Sequence, residues 1–180
     1  GKKLDQKNRI SLIWCTAKEN IAEVKDEEID LRLRVTNGKG EIVLKHGKWG
    51  GKENRKEFSF AVENFEKFWD YLEFVRILGY HNFLVTETVK NDYEYKGVEF
   101  SLVEVPGWGH YFEAEILTDE SEIEKAHEKI KNVVESVKLE IIDEAGYHKL
   151  LDGINNRPGG RMDLDTVDMD KLTKRFKAYF

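Results

Sequence analysis

The stretch DLRLRVTNGKGEIVLKHG, residues 30–47, constrains this chain more than any other. In extended backbone, successive side chains point to opposite faces. Arg32 and Arg34 therefore share one face, and Leu31, Leu33 and Val35 share the other. The NGKG run is a turn signal between two such strands. Beyond it, Glu41, Val43 and Lys45 lie opposite Ile42 and Leu44. A hairpin of this kind buries one face and lines up cations on the other. The fold has to supply a packed layer for the first and a use for the second.

The same alternation recurs along the chain. Strands are predicted over 9–16, 29–36, 40–46, 55–62, 82–89, 95–105 and 110–117, mostly joined by short Gly-rich turns. Two segments change period. Phe65, Phe68, Trp69, Leu72, Val75 and Leu78 recur at helical spacing, and Gly79 follows as a stop. Ser121 and Glu124 read as a capping box ahead of Ile123, Ile130, Val133, Val134 and Val137. A short helix is expected over GYHKLLDG and a last one in the tail. Several strands and two clear helices predict an α+β fold, an antiparallel β-barrel with helices packed outside it. The helices at about 63–78 and 122–138 would seat on Leu31, Leu33, Ile42, Leu44, Phe112 and Ile116. RPGG at 157–160 divides a barrel domain, 1–156, from a helical tail, 157–180. Capping the barrel, packing on it and forming a homodimer are all open to that tail.

Composition limits the function. The 180 residues are 36% charged with a formal net charge of −6. That argues against broad nucleic-acid binding, which needs a basic footprint, but leaves room for a local cationic cleft. Cys15 is the only cysteine, so an intrachain disulfide is excluded and the expected setting is reducing and cytoplasmic. No apolar run reaches membrane-span length and no signal peptide is visible, so no membrane partner is expected. The histidines, at 46, 81, 110, 127 and 148, show no metal-ligand spacing.

The strand faces carry the candidate chemistry. Arg32, Arg34, Lys45, Arg55 and Lys90 are cations; Glu57, Glu104, Glu113 and Glu115 are anions. Glu113 and Glu115 stand two apart in YFEAEIL and point the same way, opposite Phe112, Ala114 and Ile116. Any one of these charges alone is ordinary on the wet face of an antiparallel sheet. Their repetition, with apolar residues outward, points to a barrel with a polar interior. Arginines there suit bidentate phosphate contacts, and carboxylates suit a hard divalent cation bridged to phosphate oxygens.

The order of motifs LRLR, Gly turn, IVLKHG, RKE, a helix ending in LGY, then VEFSLVEVPGWGHYFEAE resembles the CYTH superfamily, the triphosphate tunnel metalloenzymes. The likeness spans about 29–151, and YHKLL at 147–151 resembles the family's closing S-Y-x-x-L-L. It implies an eight-stranded antiparallel tunnel with a polar lumen. Arg32, Arg34, Lys45, Arg55 and Lys90 would hold a triphosphate or nucleotide, and Glu57, Glu113 and Glu115 would hold Mg²⁺ or Mn²⁺. It also implies a metal-dependent enzyme acting on a nucleoside, thiamine or inorganic triphosphate. A phosphohydrolase is the preferred reading, with a class IV-type adenylyl cyclase or a binding module without turnover as alternatives. The departures are specific. The family's first strand, E-x-E-x-K, has no match and would precede Gly1, which makes residues 1–8 the end of a helix. The Asp of L-D-x-V is Val103, with Glu104 pointing the opposite way. The usual K-x-R reads Thr88-Val89-Lys90. No catalytic residue is assigned.

Overall fold

The computed structural model describes residues 1–15, 29–47 and 56–180. Its elements are β1 (Lys2–Cys15), β2 (Ile29–Thr36), β3 (Lys39–His46), β4 (Lys56–Val62), α1 (Phe65–Ile77), β5 (Asn82–Tyr95), β6 (Val98–Val105), β7 (Gly109–Glu115), α2 (Ile123–Ser136), α3 (Glu144–Asn155), β8 (Arg161–Asp163) and α4 (Met169–Lys177). The strands form one antiparallel sheet in the order β4-β3-β2-β1-β5-β6-β7, with β8 added to the start of β5. The fold is α+β, as the patterning predicts.

The turns follow from residue choice. Asn37 (φ 48°) and Gly38 (φ 80°) both sit in the left-handed region, as the tight β2–β3 turn requires. The Asn37 side chain also anchors the turn to β1, accepting from Asn8 N at 2.8 Å and donating to Gln6 O at 2.8 Å. Asn64 caps α1 by accepting from Lys67 N at 2.9 Å.

One face of the sheet is apolar. Ile10, Leu12 and Trp14 of β1 and Leu33 and Val35 of β2 pack against Phe68, Leu72 and Val75 of α1 and Leu172 and Phe176 of α4. A second cluster joins Val98 and Phe100 of β6 to Val133 and Val134 of α2, with Phe112 and Ile116 against it. Both long helices thus lie on the outside. The tail takes the second of the placements open to it. Its β8 pairs β5, α4 enters the main core, and Phe180 packs edge-on against Phe65 and Phe68. Gly40 makes room for that last ring, since a Cβ there would stand 3.1 Å from it.

Three expectations change and one strand is added. The sheet is not closed, because among the described residues β4 pairs only β3 and β7 pairs only β6. The segment before Asn8 is not a helix end. It extends β1, pairing Lys2–Lys7 with Lys90–Glu94 across a register shift between Lys3 and Asp5. Its alternation is too polar to register as a strand without its partner. The capping box at Ser121 does not form: Glu120–Glu122 is a 3-10 turn and α2 starts without a side-chain cap. The short strand β8 carries no alternation of its own and is held by β5, with Val85 N donating to Gly160 O at 2.7 Å.

Candidate functional site

Register places the polar residues on the other face. Ser11 pairs with Arg34 and Ile13 with Arg32. Arg34 then pairs with Glu41, Val43 with Ser59, and Lys45 with Glu57. On the other side Lys7 pairs with Lys90, Lys90 with Val103, and Val103 with Tyr111. Cross-strand partners share a face, so Lys7, Arg9, Arg32, Arg34, Glu41, Lys45, Glu57, Lys90, Glu113 and Glu115 all lie on one surface. That surface is the inner side of a strongly curved sheet. On a flat sheet the five strand steps from β3 to β7 would span roughly 24 Å. Yet the Glu115 carboxyl on β7 feels Lys45 on β3, and the Tyr111 hydroxyl feels Arg32 on β2. Charges roughly 24 Å apart would be largely screened, so the sheet must curl to bring these groups closer.

The cations are closely matched by carboxylates. Arg34 Nε donates to Glu41 Oε1 at 2.8 Å, and its Nη2 to Glu57 Oε1 at 3.3 Å. Lys45 Nζ lies 2.9 Å from Glu57 Oε2. Ser59 donates to Glu41 Oε2 at 2.6 Å. Arg32 holds the fully buried Asp30 with two hydrogen bonds, from Nε at 2.9 Å and from Nη2 at 2.5 Å. Lys90 is paired with Glu113. Lys7 is paired with the buried Asp92, which also accepts from Ser101 at 2.7 Å.

The titration behaviour follows from this geometry. Burial alone would raise the carboxyls of Glu41, Glu57 and Asp92. Hydrogen bonds from Arg34 and Ser59, from Lys45, and from Lys7 and Ser101 respectively outweigh it and hold all three below the ordinary range. Glu115 goes the other way. Desolvation in the curve of the sheet and the like charges of Glu113 and Glu99 push it up. Its side chain still reaches solvent, so the like charges are the firmer cause.

Of the residues singled out from the sequence, Arg32, Arg34, Lys45, Lys90, Glu57, Glu113 and Glu115 are brought to this inner face. Arg55 lies outside the described residues. Glu104 faces outward with 52% of its side chain exposed, near His110. Glu57 joins the cation side of the face, while Glu113 and Glu115 stand on β7. Among the described residues no three His, Cys, Asp or Glu side chains converge on a metal position. Glu113 and Glu115 still fit a hard divalent cation in part. They are neighbouring carboxylates, Glu115 is raised by like charge, and Mg²⁺ commonly takes only one or two protein carboxylates beside phosphate oxygens and water.

Two parts of the site were not anticipated. Arg9 sits on the face beside Arg34 and Arg32. The alternation of R-I-S-L-I-W marks it, since Arg9 shares parity with Ser11 and Ile13. The second is an apolar end. Val103 and Val105 are buried under Ile154 and Leu150 of α3, with Trp108 and Tyr111 alongside. Gly153 lets the indole approach, because a Cβ there would stand 2.8 Å from Trp108 Nε1. So α3 covers the inner face near the β6–β7 turn, unlike α1 and α2.

No helix among the described residues is long and apolar enough to cross a membrane. No protein-family model matches the sequence and no curated protein is similar to it. Solved structures are similar in fold. A Pyrococcus horikoshii OT3 protein has a TM-score of 0.65 at 22% identity, over 83% of this chain and 86% of that one. A conserved hypothetical protein from Pyrococcus furiosus has a TM-score of 0.62 at 19% identity, over 83% and 85%. A candidate adenylate cyclase from Vibrio parahaemolyticus has a TM-score of 0.54 at 15% identity, over 74% and 73%. At these identities the likeness establishes a shared α+β fold.

Proposed function

We propose that this chain binds a triphosphate together with Mg²⁺ or Mn²⁺ on the inner face of its sheet and acts on it as a CYTH-type phosphohydrolase. The observation that carries the reading is the inner face itself. Guanidinium and ammonium groups from β1, β2, β3 and β5 stand there opposite the neighbouring carboxylates of β7. The fold shared with a candidate adenylate cyclase supports it.

Arg32, Arg34, Lys45 and Lys90 bind and orient successive phosphoryl groups, and the arginines stabilise the charge that develops during transfer. Arg55 belongs to this set by its place in the motif order. Because these cations are already paired with carboxylates, a bare polyanion gains little here, and an accompanying divalent cation restores the balance. Glu113 and Glu115 would hold that cation and Glu57 would flank it; when bound, it neutralises phosphate charge and polarises the bond to be broken.

The test is phosphate release from ATP, thiamine triphosphate and inorganic triphosphate, with Mn²⁺, Mg²⁺ or chelator. Metal-dependent release from at least one substrate is expected, and Arg34→Ala should weaken triphosphate binding roughly ten- to a hundredfold. Cyclic AMP and pyrophosphate from ATP, with no phosphate release, would assign the cyclase reaction instead. Equal affinity for triphosphate and monophosphate, unchanged in Arg34→Ala, would refute the reading.

One observation favours a second reading, a binding module without turnover. Val103 is buried beneath Ile154 where the family pattern has Asp. That part of the face therefore offers aliphatic surface in place of a carboxylate. Tight, metal-enhanced triphosphate binding with no single-turnover cleavage would establish it.

A further inference from the structure

We propose that Arg9 is the primary phosphate anchor of the inner face, the one cation among its described residues that is held ready for an anion from outside the chain. The proposal rests on the triphosphate reading above and goes beyond it in naming where the first phosphoryl group lands.

Arg9 differs from its neighbours in its partners. Lys7, Arg32, Arg34, Lys45 and Lys90 each carry a carboxylate of the chain. Arg9 carries none among the described residues. Among the described residues its side chain makes one hydrogen bond, from Nε to Thr36 Oγ1, at 2.9 Å. That bond orients the guanidinium plane, and among the described residues neither terminal nitrogen is taken by a carboxylate. The surroundings are half-buried, and the nearest strong charges include Arg34 and Arg32. A partly desolvated guanidinium beside two others is unfavourable until an anion joins it. Paired terminal N–H groups suit a phosphoryl group, which they can bind bidentately. Glu113 and Glu41 are near enough to act on Arg9 electrostatically, so an anion seated there lies between the cation wall and the β7 carboxylates.

The experiment is calorimetric titration of inorganic triphosphate into the full chain, once with Mg²⁺ and once in chelator. It compares the wild type with Arg9→Met, Arg9→Lys, Thr36→Val and a distant control, Lys125→Met on α2. Arg9→Met should lose roughly ten- to a hundredfold in affinity. Arg9→Lys, which keeps the charge but not the fork, should fall between. Thr36→Val, which frees the guanidinium plane, should lose less than Arg9→Met, and the control should match the wild type. Thermal unfolding without ligand reports whether Arg9→Met folds. If it does not, Arg9→Lys and Thr36→Val decide. Unchanged affinity in Arg9→Met, or in both substitutes, overturns the assignment of Arg9 and leaves the triphosphate reading standing. A wild type that takes up no triphosphate in chelator or in Mg²⁺ overturns both.

Discussion

The outer face of β1 and β2 carries Ile10, Leu12, Leu33 and Val35 against α1 and α4; the inner face of the same strands, one residue out of step, carries Arg9, Ser11, Arg32 and Arg34. The two faces are held by different physics. Outside, each side chain removes apolar area from water at about 25 cal/mol per Å², and neighbouring rings add contacts such as Phe68–Phe176 at 5.0 Å. Inside, ion pairs gain Coulomb energy but spend most of it on desolvation. The outer face therefore holds the fold together. The inner face is nearly neutral for stability and is free to be specified by what it binds.

The largest effect expected from breaking this contrast is on the outside. Phe68 is fully buried and touches Trp69, Phe176 and Phe180. Phe68→Ala should cost roughly 3–5 kcal/mol, by lost transfer energy and a residual cavity. Urea denaturation would show it as a large fall in midpoint. A loss below 1 kcal/mol would mean that α1 and α4 do not form one core with the sheet.

A smaller effect is expected from a buried ion pair inside. Asp92 is 1% exposed and is held by Lys7 and Ser101. Asp92→Asn leaves Lys7 without its counter-charge and should cost about 1–3 kcal/mol at neutral pH. The sign of the pH dependence is fixed. The folded carboxyl lies below its ordinary value, so its contribution is fully present above an unfolded value of about 3.9 and is lost as pH falls through the folded one. The gap between wild type and variant should be constant from about pH 6 to about pH 8 and shrink below about pH 4. A gap that persists unchanged in acid would show that packing, and not the charge on Asp92, supplies it.

The contrast also explains what could be read from the sequence. The hairpin of β2 and β3 was legible because period-2 alternation with a two-residue turn fixes register and face at once. The same parity, together with the motif order of the family resemblance, placed Arg32, Arg34, Lys45, Glu113 and Glu115 together. Helices α1 and α2 were legible from their apolar stripes. The start of β1 was not, since residues 2–8 are polar on both faces apart from Leu4 and take their shape from β5. Nor was the position of α3. Leu150 and Ile154 announce a buried face, but only the tertiary structure shows that Val103, Val105 and Tyr111 lie beneath it, on the charged side of the sheet. Arg9 is not legible for a different reason. Its sequence context marks its face but says nothing about whether a carboxylate waits for it.

The smallest expected effect has the opposite sign. Arg9 stands on the inner, binding face, on the strand at the centre of the sheet. Burial, followed by the charge of Arg34, lowers its guanidinium from the usual value to about 10. For a base whose folded value is lowered, the folded state disfavours the charged form. The penalty is fully present at neutral pH and is relieved only as pH rises above about 10. Replacing the guanidinium with an apolar side chain of similar length removes that penalty along with one hydrogen bond to Thr36. Arg9→Met should therefore leave stability unchanged or raise it by roughly 1 kcal/mol at neutral pH. Chemical denaturation near pH 7, without phosphate in the buffer, measures it. A residue that destabilises the empty protein while serving a ligand is the pattern expected of a binding site. A loss of more than about 1 kcal/mol in Arg9→Met would instead make Arg9 a structural member of the sheet, and the distinction between the two faces would then fail at the strand that joins them.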